Sequence, residues 1–325
     1  MANSQNASGA LPAVFIIGGS GSIGKALLRL LQPDIAAKRL RVKAAVRSDA
    51  SAELVRGLGA EPAPFDLDDR LTHPSRHVEA LRGSDVVFLL TGYTVDMIAQ
   101  SKAVIDAAQE AGVKHIVHLG LMALPDTRGI HQGWHQLIEA YLERSGLGWT
   151  HLHPNVFMNS FPIMQAQNGV YPIPSTGPVV FKGYIEPDVK ISWIDPEDIA
   201  QAGATVLRDP TTHHGKTYKL AVECMTFAEL THLAGELLHA DFRYEVVSVD
   251  ILKKCLSAVG MDAKYAESGV NTMTMANNGL LPDIGDVHDD YQRLTGKEPT
   301  RWREMIMRHP EWFGIDASAA RKRLS

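Results

Sequence analysis

Short apolar runs alternate with longer amphipathic segments in the N-terminal part of the chain, and this alternation predicts strands that alternate with helices. The first pair is the apolar run 14–17 and the helical pattern that ends at Leu31. The later predicted strands are 40–46, 61–65, 86–90, 115–119, 149–153 and 191–194. The helices predicted after them are 52–58, 95–111, 134–145 and 196–207. Strands connected through helices pair in parallel, so the pattern predicts a doubly wound α/β sheet.

The C-terminal part of the chain has a different pattern. Prolines and glycines interrupt the alternation between residues 157 and 190, and a predicted strand, 217–220, leads into mainly helical segments. These segments are 227–238, 251–259, 287–294 and 301–307. A chain of 325 residues is long for one hydrophobic core. We therefore expect a smaller, mostly helical C-terminal lobe beside the parallel sheet.

A glycine-rich turn joins the first strand to the first helix and is the strongest chemical signal in the chain. A tight turn needs Gly18, a pyrophosphate can reach the backbone only if Gly21 lacks a side chain, and Gly24 lets the helix pack closely. The phosphates would lie on the helix N-terminus. The turn therefore predicts a Rossmann-type dinucleotide site, in which Ser20, Ser22 and Ile23 complete the phosphate-binding segment.

The next two strand ends indicate which dinucleotide is bound. Arg47 follows the second strand, where the adenosine ribose lies in such folds, and a guanidinium there would pair with a 2′-phosphate. Asp49, two residues later, argues weakly against this interpretation. Asp66 and Leu67 follow the third strand, where they would contact adenine or simply cap a helix. We expect NADPH as the cofactor.

Composition and charge exclude several other classes of function. The chain is 45% hydrophobic and 21% charged, as soluble globular proteins are. A net charge of -5 leaves no basic footprint for nucleic acid. No apolar run approaches the roughly 20 residues that cross a bilayer, so we expect no membrane contact. Two cysteines and an N-terminus without a secretory signal favour the cytoplasm.

These observations predict three regions. Residues 1–11 form a flexible leader, and 12–155 together with about 185–210 form the NAD(P)-binding Rossmann domain. Residues 156–184 and 211–325 form the substrate-binding lobe. A monomer or a homodimer fits this organisation.

The chain resembles the NmrA-like members of the atypical short-chain dehydrogenase/reductases, the group that includes triphenylmethane reductase-like enzymes. The resemblance covers nearly the whole chain. It is carried by Gly18, Gly21, Gly24 and residues within 45–47, 87–91, 107–118, 146–157, 191–200 and 290–299. It implies a fold with a bound nucleotide, and it implies that Pro154, Asn155 and Phe157 shape the nicotinamide site.

The catalytic triad of competent short-chain reductases is missing. Those enzymes carry a Ser after the fifth strand and, on the next helix, a Tyr that protonates the carbonyl oxygen four residues before a Lys. The resemblance places Gly120, His131 and His135 at these three positions. Without its general acid, reduction of a simple ketone would lose about 10²- to 10⁴-fold in rate.

Two ways around this loss remain open. His131 or His135 could donate the proton, since an imidazole titrates near neutrality. Alternatively, the substrate needs no proton during hydride transfer, as with a cationic dye, an iminium ion or a quinone. His131, His135 and Glu139 also share a helical stripe, which raises the alternative of a metal site. No further ligand is evident near this helix, so we expect no metal.

Further pocket residues are predicted at the carboxyl edge of the sheet. Thr91, Gly92 and Tyr93 leave the fourth strand there, where ligands gather in such folds, and Tyr93 is a candidate substitute acid or a pocket wall. Together with the residues after the sixth strand, three large side chains suggest a pocket for a small apolar or aromatic substrate. They are Met122, Trp134 and Phe161.

The sequence thus favours an NADPH-dependent reductase that delivers hydride to a conjugated or aromatic electrophile, such as a quinone, iminium ion, cationic dye or enone. An NADP-binding redox sensor without turnover is the alternative from another class, since the missing triad supports it equally. A nucleotide-assisted isomerase or cyclase is a third alternative, without a separate sign in the sequence.

Overall fold

The computed structural model describes residues 12–161, 177–258 and 262–315. The predicted leader, 1–11, and part of the proline-rich excursion lie outside the described residues. Within the described part, no helix is both long and apolar enough to cross a membrane.

Strands alternate with helices as the sequence predicts. The strands are β1 (Ala13–Ile16), β2 (Arg41–Val46), β3 (Glu61–Pro64), β4 (Val86–Leu90), β5 (His115–Leu119), β6 (Gly148–Pro154), β7 (Val156–Phe157), β8 (Val179–Gly183), β9 (Ser192–Ile194), β10 (Lys216–Leu220), β11 (Glu223–Cys224) and β12 (Phe242–Val246). The helices are α1 (Ser22–Ala36), α2 (Asp49–Gly57), α3 (Ser75–Leu81), α4 (Met97–Ala111), α5 (Ile130–Glu143), α6 (Pro196–Arg208), α7 (Phe227–Leu238), α8 (Val249–Ala258), α9 (Ala263–Asn277), α10 (Asp290–Thr295) and α11 (Trp302–Arg308). Two 3₁₀ helices are Leu67–Leu71 and Pro310–Phe313.

Seven strands form one parallel sheet in the order β10-β6-β5-β4-β1-β2-β3. Helices cover both faces. Along β1, Val14 and Ile16 belong to the core under α1 and α6, whereas Phe15 and Ile17 belong to the core under α3 and α4. This alternation is the two-sided burial expected of a parallel sheet. The predicted Rossmann-type doubly wound fold is confirmed.

One strand lies in a different region from the one predicted. Residues 216–220, expected to start the C-terminal lobe, form β10 and pair with β6 at the edge of the large sheet. Leu220 is fully buried, and its partner across the ladder is Pro154. The sheet therefore gains an edge strand from a segment that follows α6, and Leu220 is the residue of this strand that is buried in the core.

The C-terminal lobe is built on aromatic side chains. Phe161, Phe181, Phe227, Trp302 and Phe313 are each at most 3% exposed. Their rings meet edge-on or stacked, with centroids 4.9 Å apart for Phe161 and Phe181 and 5.1 Å apart for Phe161 and Phe313. Aromatic pairs in these geometries add to the gain from burial. Phe161, expected beside the substrate, is part of this core.

Several elements of the lobe, among them β8, β12 and α9, are absent from the sequence prediction. The strands β8 and β12 form a separate parallel pair. Helix α9 has a sequence rich in Ser, Thr and Asn, so its apolar periodicity is weak, but Asp262 caps it by accepting a hydrogen bond from the Tyr265 amide at 2.8 Å. A third difference is that α5 begins at Ile130, after the extended residue Gly129, instead of at Trp134.

The glycine turn depends on backbone contacts that leave no space for a methyl group. Gly18 has φ +82°, in the left-handed region that favours glycine. A Cβ on Gly24 would lie 2.2 Å from the Gly18 carbonyl oxygen and 2.6 Å from the Gly19 Cα. The start of α1 is therefore packed directly on the turn.

Replacing Gly24 with Ala should consequently destabilise the fold by about 1–3 kcal/mol, the usual cost of overpacking. Gly57, in the last turn of α2, is the matched control, because a Cβ there meets nothing within 4 Å. Gly57→Ala should leave stability unchanged or raise it by about 0.5–1 kcal/mol. Denaturant unfolding measures both, and equal effects of the two substitutions would contradict the packing described.

Candidate functional site

The glycine turn lies at the point where the strand order of the sheet reverses. The chain runs outward from β1 to β2 and β3 on one side, and β4 pairs with β1 on the other. In open α/β sheets ligands bind at the carboxyl ends of the strands at this switch point. The Ile17 amide donates to the Phe88 carbonyl at 2.9 Å, and the turn then passes beside Leu90.

The N-terminus of α1 has the properties of an anion site. Its N-cap is Gly21, no side chain caps it, and its first turn contains no acidic residue. The first amides of a helix have no intrahelical acceptor, and the helix dipole favours a negative charge beside them. Ser20, Gly21 and Ser22 are exposed there. We infer that a pyrophosphate can contact this segment.

Other residues of the same segment have a supporting role. Ile23 is buried in the core, and Gly24 packs on the turn. Gly19, which the sequence analysis did not single out, is equally constrained, because its Cβ would lie 2.9 Å from the Ala44 Cβ on β2. The adjacent glycines 18 and 19 were the available signal for this contact.

Arg47 lies in an open groove of about 850 Å³ beside β2 and β3, which we call the β3 groove. The side chain is exposed, and no carboxylate among the described residues is within ion-pair distance of it. Asp49, the residue that argued against a phosphate site, begins α2, which the Ser48 side chain caps. A guanidinium without an acidic partner fits the predicted contact with a 2′-phosphate.

Asp66 lines the same groove, and its side chain and carbonyl both have hydrogen-bond partners within the protein. Its carboxylate accepts a hydrogen bond from the Asp68 amide at 3.0 Å and caps the 3₁₀ helix 67–71. Its carbonyl is 2.7 Å from Nε2 of His77. Leu67 is half-buried against the core. The helix-cap interpretation of Asp66 therefore has direct structural support, whereas contact of Asp66 or Leu67 with adenine stays a prediction.

Residues after β4 and β6 lie at the same edge of the sheet. Thr91 and Gly92 are half-buried, and Tyr93 is 70% exposed. Asn155 is buried, and its amide donates to Ser192 Oγ at 2.6 Å and to the Ile284 carbonyl at 2.9 Å. Asn155 therefore ties the sheet to the C-terminal lobe, and that is its observed role.

Pro154 and Phe157 shape this junction through the backbone. The Pro154 carbonyl accepts from the Met122 amide at 2.9 Å. Phe157 pairs with Ile194 in the short β7–β9 ladder. These contacts hold the loop after β5 and the start of the lobe against the end of β6.

A cavity of about 390 Å³, which we call the aromatic cavity, lies between this edge and the lobe. Its walls are mainly apolar and aromatic. The apolar and aromatic lining comprises Tyr93, Val156, Tyr184, Ile185, Ile191, Trp193, Phe227, Tyr244, Leu252, Leu256, Tyr265, Met273 and Ile284. The volume and lining suit a small aromatic ligand.

Polar groups occupy one end of the aromatic cavity. The Tyr265 hydroxyl lies 3.4 Å from Nε2 of His131, and the Tyr265 ring is edge-on to Tyr93 with centroids 5.5 Å apart. Trp134 lies beside them, its ring centroid 6.2 Å from that of Tyr265. Tyr265 was missed in the sequence analysis because the weak periodicity of α9 gave no reason to place it near His131.

Burial sets the protonation of this pair. It lowers the pKa of His131 to about 4 and raises the pKa of the Tyr265 hydroxyl above its ordinary value, with the nearby Tyr93 adding to the second effect. At neutral pH the imidazole is therefore neutral and the phenol is protonated. The pair can hold a ligand oxygen by hydrogen bonds, but His131 holds no imidazolium proton to donate.

A second cavity of about 110 Å³ adjoins the first and shares His131 and Val156 with it. Met122, Asn155 and Asp283 line this small cavity. His131 thus lies between the two spaces. Met122 lines the small cavity and not the aromatic cavity, and its contact with a substrate stays a prediction.

His135 and Gly120 lie behind these cavities. The ring of His135 is 5.1 Å from that of His131 and 5.5 Å from that of His118, and His135 lines neither cavity. Burial lowers its pKa well below the ordinary value. A Cβ on Gly120 would lie 2.6 Å from Oε1 of Glu139, so a side chain at this position would require the Glu139 carboxylate to move.

The comparisons with known proteins agree with this geometry. The model of the NmrA-like family matches residues 12–304. The chain belongs to the NmrA-like family. The resemblance inferred from the sequence is thereby confirmed.

Three relatives illustrate what the family contains. An NAD(P)H azoreductase of Xenophilus azovorans is 29% identical over 308 residues, which are 93% of this chain and 99% of the relative. The Citrobacter sp. triphenylmethane reductase, solved as a complex with NADP(H), has a TM-score of 0.75 at 22% identity and covers 91% of this chain and 99% of its own. NmrA, a negative transcriptional regulator solved with NADP, has a TM-score of 0.69 at 18% identity and covers 95% and 99%.

The predicted role of Arg47 can be tested by charge reversal. Arg47→Glu should weaken NADPH binding by about 10- to 100-fold, because a charged contact contributes about 1.5–3 kcal/mol, and should leave NADH binding nearly unchanged. Arg56→Glu, in the same groove, is the control for a general electrostatic effect. The assignment is wrong if Arg47→Glu weakens both nucleotides equally or neither, as measured by fluorescence titration.

Proposed function

We propose that this protein is an NADPH-dependent oxidoreductase that transfers hydride directly to a planar, conjugated or aromatic electrophile in the aromatic cavity. The observation that carries this proposal is the pairing of a mainly aromatic cavity of about 390 Å³ with a polar end at which burial keeps the His131 imidazole neutral. The glycine turn and α1 would hold the nucleotide at the adjoining edge of the sheet.

The protonation state of the polar end limits the acceptors. A simple ketone needs a proton on its oxygen as hydride arrives, and the neutral His131 and the phenol of Tyr265 are both weak acids there. A triarylmethyl cation takes up hydride to give a neutral product without any proton. A quinone takes up hydride to give a delocalised hydroquinone anion, which water protonates later. We therefore favour cationic dyes and quinones over ketones.

The cavity supplies position and desolvation for such acceptors. Aromatic walls offer stacking surfaces to a planar ring. The cavity would hold the hydride-donating carbon and the acceptor close together. Because water is excluded, it does not compete for the charge on the acceptor. The Tyr265 hydroxyl can donate to a quinone oxygen, since burial keeps it protonated. When bound, the nucleotide supplies the hydride.

The relatives support a reductase of this kind. The azoreductase is similar to this chain over nearly its whole length, and the triphenylmethane reductase shares its fold. The first is named for azo reduction, and a structure of the second is described in connection with triphenylmethane dyes. The NAD(P)H-dependent reduction of a conjugated dye is therefore compatible with the family and with the cavity.

A second candidate function is that of an NADP-binding regulator. Gly120 favours it, because the family resemblance places this glycine where a catalytic dehydrogenase carries its serine, and the Glu139 carboxylate lies close to the space a side chain would need. The regulator NmrA has the same fold. A regulator would bind nucleotide tightly, without turnover, and discriminate between NADP and NADPH.

The proposal is tested by following NADPH oxidation with a cationic triarylmethane dye, a quinone, an azo dye, an enone and an aliphatic ketone. We expect turnover with the dye cation and the quinone and about 10²-fold less, or none, with the ketone. Nucleotide binding is measured in the same samples. Tight binding without turnover of any acceptor would favour the regulator, and preferential ketone reduction would contradict the proposed chemistry.

The pH dependence of the same reaction distinguishes the two routes for the proton. With the quinone, the rate under saturating conditions should vary by less than about threefold between about pH 6 and pH 9, because His131 is already deprotonated throughout. If an imidazolium supplied the proton, the rate would instead fall tenfold per pH unit above the pKa of that imidazolium.

Tyr265→Phe should raise the KM for quinones by about 10-fold and change kcat little, because the substitution removes one hydrogen bond to the substrate in a buried site. Tyr141→Phe, at an exposed tyrosine on α5 that donates to Asp106, is the control. A large fall in kcat with Tyr265→Phe would mean that the phenol does transfer a proton.

A further inference from the structure

A layer of polar side chains lies between α5 and the strands β5 and β6, in an otherwise apolar interior. Its members are histidines together with one carboxylate. We call it the histidine layer, and it consists of His118, His135, His151, His153 and Glu139. The mechanism proposed above uses none of these residues.

The sheet register brings the imidazoles together. His118 on β5 lies directly opposite His151 on the neighbouring strand β6. His153 follows two residues later, on the same face of β6, as the alternation of side chains requires. Glu139 on α5 covers them. Gly120 has no side chain, and the Glu139 carboxylate lies in the space beside it.

The described protein does not satisfy the hydrogen-bonding groups of this layer. His118 is fully buried and His151 is 1% exposed. Within the described residues, Nε2 of His118, Nδ1 of His135 and Nε2 of His151 have no hydrogen-bond partner. Each buried polar atom without a partner costs about 1–3 kcal/mol. The two Nδ1 atoms that face each other across 3.4 Å, one from His118 and one from His151, are distinct from these unpartnered nitrogens.

The distances within the layer fit a metal ion. Nδ1 of His118 is 3.4 Å from Nδ1 of His151 and 3.8 Å from Oε1 of Glu139. One ligand atom from each of the three residues lies within 4.8 Å of the others. Two nitrogens bound to one tetrahedral zinc at about 2.0–2.1 Å would be roughly 3.3–3.4 Å apart. A pair at 3.4 Å is long for a hydrogen bond but suited to a shared ion.

We propose that His118, His151 and Glu139 form a buried site for a divalent transition-metal ion of the zinc class. Two imidazoles and one carboxylate are a common ligand set for such ions and leave one position for water.

The surrounding contacts resemble the support that metal ligands usually have. Nε2 of His153 lies 2.8 Å from Oε1 of Glu139, and Oε1 of Glu143 lies 3.5 Å from Nε2 of His151. Carboxylates behind ligating histidines orient the ring and raise its basicity.

The site would join α5 to the sheet. Since α5 also carries His131, the ion would fix the helix that forms one wall of the aromatic cavity. The stripe seen in the sequence, His131, His135 and Glu139, contributes only its last member. The two histidines that complete the set lie on strands and cannot be recognised from helical spacing. This proposal does not depend on the proposed reductase activity.

Titration of the metal-free, tag-free protein with Co²⁺, followed by competition with Zn²⁺, tests the site. We expect one equivalent to bind and to produce the strong visible absorption of a four-coordinate cobalt centre. Glu139→Gln and His151→Asn should each weaken binding at least tenfold. His232→Asn on α7 is the control and should have no effect on metal binding. His232 is exposed, and its Nε2 lies 3.3 Å from Oε1 of Glu236.

Two results would overturn the proposal. One is the absence of a stoichiometric site in the wild type, and the other is binding that survives both Glu139→Gln and His151→Asn. Circular dichroism identifies a variant that fails to fold. In that case X-ray absorption of the zinc-loaded wild type decides, since two imidazoles in the shell support the site and a shell with one or none contradicts it.

Discussion

The backbone contact between Gly24 and the Gly18 carbonyl is the constraint on which the nucleotide site depends. A distance of 2.2 Å from a hypothetical Cβ to that oxygen means that α1 begins directly on the turn after β1. This contact aims the uncapped helix N-terminus at the switch point of the sheet. The hydrogen bonds of Asn155 then hold the lobe against the same edge, so that the aromatic cavity opens where the nucleotide would lie.

Apart from α3, which was not predicted between β3 and β4, the alternation of strands and helices up to β6 could be predicted from the sequence because the other elements have strong local patterns. Parallel strands buried on both faces are continuous apolar runs, and Gly112 ends α4 in the left-handed conformation expected of a helix cap. The switch-point site followed from the same pattern. Strand β10 was assigned to the wrong region because pairing with β6 is a long-range contact that its own residues do not encode.

The polar parts of the site were the least predictable. Tyr265 comes from a helix with weak periodicity, and only folding places its hydroxyl 3.4 Å from His131. Similarly, His118 and His151 are adjacent because of strand register. The sequence analysis identified His131 and His135 as equivalent candidates for acid catalysis, but the structure separates them, since only His131 lines the cavities.

Burial explains the chemistry of the cavity better than the residue types alone. A histidine at the position of a catalytic tyrosine suggests an acid, yet desolvation lowers its pKa to about 4 and removes the proton. The central claim is direct hydride transfer without such an acid. It is tested most directly with NADPH deuterated at either C4 position and a triarylmethyl cation as acceptor. We predict that one of the two labelled forms transfers one deuterium per turnover to the central carbon of the dye. A product without deuterium from either form would contradict the account.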